Sequence, residues 1–412
     1  MYNDNQELKL PPMLSGIELL SALQVLPTYD PSIRNQDAAT RMIALSDLYH
    51  LYIPSKMSVE IYSKLYLALL RSLQKKHTTL ATQQQNQNFR AIKQQEYTGI
   101  IGGADCFTII GCSGIGKSTA ISRAIAVITE NKIIEIKNPY SKIIPCLIVQ
   151  CPFDCSVKGL LLEILRKVDE ALDSKYYTTA VRARATTDML IGSVSQVALN
   201  HIGLLIVDEI QNVVNSKHGK SLIGMLTQLI NSGGISICMV GTPESAVFFE
   251  QAIQLARRSL GVQYNNMEYN TYFRDFCYAL FSYQYVKKDS ELTDVMAEWL
   301  YQHSAGIISV VVSLVHDAQE IAILNGIEEL NLDMLTEAYK QRMTLLHGYI
   351  EPTIKRKPQT ASVKTVSKVQ SGTAIQSENP NLLSELATLA KTQQLDIVPL
   401  LKDYISITEV AL

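Results

Sequence analysis

The sequence predicts an α/β fold in which helices sandwich a mainly parallel β-sheet. Between residues 106 and 286, short apolar runs that suit buried strands alternate with amphipathic helical stretches, as in βαβ units. A glycine-rich motif follows the first apolar run directly, and a later run ends in two acids. Helical patterns before and after this region complete a chain of 412 residues, a length that predicts two or three domains.

The expected strands are short runs rich in β-branched and aromatic residues, each bounded by polar or glycine-containing segments. They are CFTII (106–110), CLIVQ (146–150), GLLIVD (203–208), ISICMV (235–240) and FSYQYV (281–286). The predicted core that contains them spans residues 101–288.

Helical spacing of apolar residues predicts an N-terminal extension over residues 1–82 and a helical lid over 289–350. In the extension, Leu14, Ile17, Leu20 and Leu23 recur at helical spacing, and Pro27 closes the run. The further predicted helices are Arg41–Ile53 and Val59–Leu73 in the extension, and Glu291–His303, Ile307–Leu324 and Asp333–Leu346 in the lid.

Three segments lack the pattern of a packed core. Residues 83–100 form a polar, Gln-rich linker, and residues 351–380 form a second linker expected to be flexible. Residues 381–412 regain apolar periodicity as a tail helix, which is too short to be stable alone. This tail either docks on a partner or packs back on its own domain.

The composition excludes several classes of protein. Lys and Arg total 37 against 39 Asp and Glu, so the net charge of −2 excludes a histone-like chain without excluding a local basic stripe. A hydrophobic content of 47% excludes global disorder. No apolar run reaches the ~18 residues of a membrane span, so we expect a cytoplasmic protein with no membrane contact.

The seven cysteines are expected to be free thiols in a reducing compartment. Cys146, Cys151 and Cys155 lie close in sequence and raise the alternative of a zinc site. Their spacing contains no C-x-x-C pair, and no histidine follows at a ligand's distance. Buried thiols are therefore the favoured interpretation.

The strongest motif is GCSGIGKS (111–118), which fits G-x-x-x-x-G-K-[ST] between a predicted strand and a predicted helix. Glycines let the backbone curl so that its N–H groups point at phosphate oxygens, and the helix adds its positive end. The motif predicts bound ATP, with Lys117 at the β and γ phosphates and the Ser118 hydroxyl on Mg²⁺. The residues expected to hold the nucleotide are Gly111, Ser113, Gly114, Ile115, Gly116, Lys117, Ser118 and Thr119.

Two acids, Asp208 and Glu209, end a predicted buried strand, where carboxylates are costly unless they serve an ion or a reaction. Asp208 suits Mg²⁺, and Glu209 suits polarising the attacking water. Thr242 ends a further strand, which would place its hydroxyl near the γ-phosphate; an ordinary Gly-Thr-Pro turn is the alternative. Arg257 and Arg258 end a predicted helix. They are either solvated or supply an arginine finger to a neighbouring subunit.

The order of these motifs, with LLIVDEIQN, CMVGTPES and QLARRSLG after the phosphate loop, resembles the TnsC/TniB regulators of DNA transposition. The resemblance runs from about Leu14 to Met343. It implies an AAA+ ATPase core with a helical lid, which assembles as a ring or helical homo-oligomer around double-stranded DNA. It also implies partners: transposase subunits of the TnsA/TnsB type and a target-selection protein of the TnsD/TniQ type. Within it, Arg258, or else Arg257, takes the role of the finger.

The resemblance further implies that Lys158 and Thr186, or neighbours of Thr186, face DNA. Arg182 and Arg184 lie four and two residues before Thr186, so we expect them to join the same stripe. Lysines and hydroxyls contact phosphates without reading sequence; ordinary solvated surface is the alternative. One departure is the lid segment SAGIISVVVSLV, which lacks the arginine common in AAA+ lids, so hydrolysis is expected to be slow and tied to assembly. A replication-initiator or helicase-loader ATPase and a non-hydrolysing nucleotide-gated scaffold remain the alternative functions.

Overall fold

The computed structural model describes residues 10–76, 105–130, 132–137, 140–233, 235–246 and 261–347. The predicted linkers at 83–100 and 351–380, the tail at 381–412, and the candidate finger residues Arg257 and Arg258 lie outside these ranges.

Helices make up most of the described chain. In chain order they are α1 (Gly16–Leu23), α2 (Ala38–Ala44), α3 (Lys56–Lys75), α4 (Lys117–Thr129), α5 (Val157–Leu172), α6 (Tyr176–Arg182), α7 (Thr187–His201), α8 (Asn212–Asn215), α9 (Gly219–Gly233), α10 (Thr271–Phe281), α11 (Asp294–Ser304), α12 (Ile308–Leu324) and α13 (Leu332–Arg342). Single 3₁₀ turns lie at Pro31–Asn35, Leu45–His50, Pro243–Ser245 and Thr344–Leu346.

The sheet has six strands in the order β2-β3-β4-β5-β1-β6. They are β1 (Cys106–Gly111), β2 (Ile134–Lys137), β3 (Tyr140–Gln150), β4 (Ile202–Asp208), β5 (Ile237–Gly241) and β6 (Val262–Tyr264). All neighbours are parallel except β2 and β3. The predicted α/β fold with a mainly parallel sheet is confirmed.

Helices cover both faces of this sheet. On one face, α5, α7 and α9 bury their apolar sides against the strands. On the other face, α1, α3 and α4 do so. Because both faces are covered, the central strands are buried along nearly their whole length, which is why they read as continuous apolar runs in the sequence.

The prediction of a strand at FSYQYV (281–286) is wrong. Residue Phe281 ends α10, and the following residues pack among the lid helices. The Tyr285 N–H donates to Oε1 of Gln319 at 2.7 Å, and the Gln284 amide donates to the Phe281 carbonyl at 3.0 Å. Side chains thus satisfy backbone groups that a strand would have paired. The strand beside β1 at this edge of the sheet is β6, which the sequence did not predict.

The N-terminal helices differ in detail from their prediction. α1 buries Leu19 and Leu23, whereas Ile17 is 84% exposed and Leu20 is 40% exposed. The predicted helix 41–53 is divided into α2 and the turn Leu45–His50, after which the chain extends. Pro54 disfavours helical backbone at Ile53, the last residue of the predicted helix.

Residues of the N-terminal extension join two separate hydrophobic clusters. Its first and third helices pack on the sheet, while Leu45, Leu48 and Leu51 pack with the lid helices. The three predicted lid helices are present as α11, α12 and α13, and α10 packs with them. The extended segment between the two groups therefore passes from the lid to the sheet.

Within the described ranges, no single helix has the length and apolar character needed to cross a membrane; α11 and α12 meet that test only together, and they are bent by 120° at their junction.

Candidate nucleotide site

The glycine-rich loop lies between β1 and α4, at the carboxyl edge of the sheet. Gly114 and Gly116 have φ values of +79° and +95°, which residues with a Cβ adopt only under strain. Gly116 is the N-cap of α4, and no side chain caps that helix. The first-turn N–H groups are therefore available to an anion, whose charge the helix dipole favours.

The Lys117 amine lies folded over this loop. Its Nζ donates to the carbonyl oxygens of Gly111 at 2.6 Å and Cys112 at 2.8 Å. Burial lowers the pKa of Lys117, and the nearby carboxylates of Asp208 and Glu209 oppose that shift. The Lys117 ammonium thus lies beside the uncapped N–H groups of α4, and both are suited to bind a phosphate.

Ser118 and Asp208 are brought together, as the motifs predict. The Ser118 hydroxyl donates to Oδ2 of Asp208 at 3.2 Å, and the Glu209 N–H donates to Oδ1 at 2.8 Å. Glu209 itself has a φ of +58°, a strained conformation for a residue with a Cβ. A hydroxyl and a carboxylate side by side are the donors that Mg²⁺ takes when phosphates and waters complete its shell.

Gln211, which the sequence reasoning did not assign to the site, holds the side chain of Glu209. Its amide nitrogen donates to Oε2 of Glu209, while its Oε1 is buried and has no hydrogen-bond partner within the described part of the chain. The contact fixes one carboxylate oxygen of Glu209 and leaves the other free to accept a proton or orient a water.

Thr242 lies in the same cleft, two residues before Glu244. A hydrogen bond from the Thr242 hydroxyl is the main cause of a lowered pKa for Glu244, and the charge of Lys117 adds to the effect. Glu244 therefore stays ionised near the cleft at neutral pH.

These side chains line one polar cleft with a volume of about 260 Å³. The predicted site residues that line it are Ser113, Gly114, Gly116, Lys117, Ser118, Thr119, Asp208, Glu209 and Thr242. Gln211 and, from the lid, Ser309 line it as well. The ends of β1, β4 and β5 bring them together, because parallel strands present their carboxyl ends at one edge.

An apolar pocket of about 210 Å³ adjoins the polar cleft and shares Gly114, Gly116, Thr119 and Ser309 with it. Its other walls come from the N-terminal extension, α10 and α12, and include Tyr52, Ile53, Met267, Tyr272, Phe276 and Ile308. The Tyr272 hydroxyl donates to the Ile53 carbonyl at 2.8 Å. The walls come from distant parts of the chain, so no local motif marked this pocket.

Cys146, Cys151 and Cys155 do not converge as a group of three metal ligands. All seven cysteines are free, and Cys151 and Cys155 are buried. Burial raises the pKa of the Cys146 and Cys151 thiols to about 12. Among the described residues, three metal-binding side chains converge only at His316, Asp317 and Glu320 of α12, outside the polar cleft.

The residues that the resemblance places against DNA are all exposed. Lys158 lies in the first turn of α5, Arg182 ends α6, and Thr186 is the N-cap of α7, where its hydroxyl accepts the Met189 N–H at 3.4 Å. Arg184 has a φ of +50° in the turn between α6 and α7. Since α5 packs against both α6 and α7, the four residues belong to one three-helix unit.

Comparison with known proteins finds a family match over residues 100–247, to the AAA domain. No curated protein matches the chain in sequence. Among solved structures, the chain is similar to an Aeropyrum pernix ORC1 protein in complex with DNA, with 13% identity, a TM-score of 0.42, and coverage of 81% of this chain and 78% of that one. It is also similar to Drosophila ORC bound to DNA, with 12% identity, a TM-score of 0.43, and coverage of 97% and 85%.

A third similar structure is the Aeropyrum pernix ORC2 protein in ADPNP–ADP complexes, with 15% identity, a TM-score of 0.37, and coverage of 63% of this chain and 66% of that one. The family match spans the glycine-rich loop, both acids and Thr242. Together with the mostly parallel six-stranded sheet between two helical layers, it shows the fold of an AAA+ P-loop ATPase.

Proposed function

We propose that the protein is an ATP-dependent regulator of DNA transposition that oligomerises on double-stranded DNA and links target recognition to the transposase. The observation that carries the ATPase part is the convergence of Lys117, the Ser118–Asp208 pair and Glu209 in one polar cleft. The transposition part rests on the sequence resemblance to the TnsC/TniB regulators, which runs through the same motifs.

Each side chain in the cleft has a distinct task in phosphoryl transfer. Lys117 and the N–H groups of the loop would neutralise the phosphates, and Ser118 with Asp208 would hold Mg²⁺, which would add positive charge beside them. Glu209, held on one oxygen by Gln211, orients the attacking water with the other. Thr242 lies at the end of β5, where a hydroxyl can contact the γ-phosphate.

The apolar pocket is suited to the base of the nucleotide. It adjoins the polar cleft, carries three tyrosines and a phenylalanine among its walls, and shares two glycines of the loop with the cleft. Aromatic and aliphatic walls favour the flat face of a purine. Binding there would join the N-terminal extension, the core and the lid around one ligand.

The remaining elements of the proposal concern assembly. Arg258, or else Arg257, would act on the ATP of the neighbouring subunit in a ring or helix. Lys158, Arg182, Arg184 and Thr186 would contact DNA phosphates, whose recognition by lysine and arginine is independent of sequence. Partners of the TnsA/TnsB and TnsD/TniQ types would bind the assembled form.

The experiment that tests the proposal measures assembly on duplex DNA with and without ATP. Wild type should form large complexes on unrelated duplexes only with ATP and Mg²⁺, and Lys117→Ala should form none. Lys132→Ala, which alters an exposed lysine after α4, is the matched control and should assemble normally. Assembly of Lys117→Ala at wild-type ATP concentrations would contradict the assignment.

A second measurement separates transposition from replication. The ATP-bound, DNA-bound protein should retain a transposase encoded beside its gene and should not retain the replicative helicase. Retention of the helicase alone would assign the protein to the replication-initiator or helicase-loader class, while leaving the ATP site as described.

A further inference from the structure

The lid helix α12 begins directly on the phosphate loop. Its second residue, Ser309, donates its N–H to the Gly114 carbonyl at 3.1 Å. The N-cap residue Ile307 offers no side-chain cap to the helix. A carbonyl of the phosphate loop therefore satisfies an N–H in the first turn of α12 that a capping side chain would otherwise bind.

Gly114 and the start of α12 lie too close together for a side chain at residue 114. A Cβ built on Gly114 would lie 2.3 Å from Oγ of Ser309 and 2.8 Å from Cγ2 of Ile307. The φ of +79° at Gly114 disfavours any other residue as well. Gly114 is thus required both by the turn of the loop and by the approach of the lid.

The Ser309 hydroxyl lies against Gly114 at the wall of the polar cleft. Ser309 is exposed and lines both the polar cleft and the apolar pocket. Within the described ranges its Oγ has no hydrogen-bond partner, and Ser309 is the one lid residue in the wall of the polar cleft. A hydroxyl placed among Lys117, Ser118 and the loop N–H groups can donate to an anionic oxygen.

We propose that the Ser309 hydroxyl donates a hydrogen bond to a phosphate oxygen of the bound nucleotide, so that α12 responds directly to nucleotide binding. The N–H of the same residue keeps Gly114 in place, so one residue would couple the lid to both the loop and the ligand. This inference rests on the proposed ATP site and adds a binding residue to it.

The test compares Ser309→Ala, which removes the hydroxyl and keeps the N–H, with Ser309→Thr, which keeps both. Ser282→Ala is the matched control, because the exposed hydroxyl of Ser282 donates to the Ala279 carbonyl at the end of α10 and Ser282 lines neither the polar cleft nor the apolar pocket. Affinity for fluorescent ATP and ADP analogues is measured on the full chain. Hydrogen exchange of residues 307–315 is followed with and without ATP.

Ser309→Ala should weaken ATP binding roughly tenfold or more, as expected for loss of a hydrogen bond to a charged group. It should also reduce the ATP-induced protection of the start of α12, while its melting temperature without nucleotide stays at the wild-type value. Ser309→Thr should restore both properties, and Ser282→Ala should retain the wild-type ATP affinity and the ATP-induced protection.

Wild-type affinity and protection in Ser309→Ala would overturn this inference and leave the proposed ATP site standing. A wild type that binds neither nucleotide would overturn the proposed function and this inference together.

Discussion

The hydroxyl of Ser118 lies 3.2 Å from Oδ2 of Asp208, although the two residues are 90 positions apart in the chain. Ser118 opens α4 directly after the phosphate loop, and Asp208 ends β4. β5 alone separates β4 from β1 in the sheet. The parallel arrangement thus brings a hydroxyl and a carboxylate to the same edge, which is the geometry on which the proposed Mg²⁺ site depends.

Asp208→Asn should abolish the contribution of Mg²⁺ to ATP binding, because an amide oxygen is a much weaker ligand for a hard cation than a carboxylate. The measurement is ATP affinity with Mg²⁺ and with EDTA; the variant should show one value in both. Asp154→Asn, an exposed acid outside the cleft, is the control and should keep the wild-type difference. If Mg²⁺ still raises the ATP affinity of Asp208→Asn, the metal is held by other residues and the assignment of Asp208 is wrong.

Lys158→Ala combined with Arg182→Ala should weaken binding to unrelated duplexes equally. The slope of log affinity against log salt should fall by roughly 0.9 for each lost phosphate contact, while ATP binding is unchanged. Lys340→Ala, an exposed lysine on α13, should leave the slope at its wild-type value. A loss of affinity for one sequence only would show that Lys158 and Arg182 read bases. An unchanged salt slope would show that DNA binds to a different surface.

Gly224→Ala should stabilise the protein by about 0.5–1 kcal/mol, because Gly224 lies inside α9 and alanine is the better helix former. Nothing lies within 4 Å of a Cβ at this position. Gly203→Ala should instead destabilise the protein, since its Cβ would lie 2.4 Å from the Pro145 carbonyl oxygen and 2.6 Å from Cδ1 of Leu69. Urea unfolding of both variants checks the difference, and equal effects would contradict the packing described for β4.

Glu328→Gln should destabilise the lid on the order of 3 kcal/mol, because it leaves the buried guanidinium of Arg41 without its counter-charge. Arg41 is 1% exposed and donates to both carboxylate oxygens of Glu328, at 2.6 Å and 2.7 Å. The guanidinium also donates to the Tyr285 carbonyl at 2.9 Å. Unfolding by urea at neutral pH measures the loss.

The same ion pair gives stability a defined pH dependence. The hydrogen bond from Arg41 lowers the pKa of Glu328 below its ordinary value of 4.5. A carboxylate with a lowered pKa stabilises the fold above its unfolded pKa, and that contribution is lost as the pH falls through the folded value. Wild type should therefore lose stability below about pH 4.5, and this loss should be smaller in Glu328→Gln. Identical acid profiles would contradict the assignment.

The polar cleft was largely predictable, because Lys117, Ser118, Asp208 and Glu209 lie in motifs whose spacing encodes a strand, a turn and a helix. Gln211 and Ser309 were not predicted, since their roles depend on which side chain a neighbouring element presents. The same limit explains FSYQYV (281–286): its apolar alternation fits a strand, but Gln284 and Gln319 bind its backbone among helices. Local pattern thus predicted which of these residues lie together, and tertiary contacts determined what surrounds them.

The most direct test of the account is phosphate release from ATP in the presence of duplex DNA, for wild type and Glu209→Gln. Glutamine keeps the size of the side chain and removes the charge that orients and activates the attacking water. Wild type should release phosphate, and Glu209→Gln should bind ATP with near-normal affinity yet hydrolyse it ~10²-fold more slowly, leaving long-lived DNA complexes. Equal rates in the two proteins, or no release by wild type at any DNA concentration, would contradict the account.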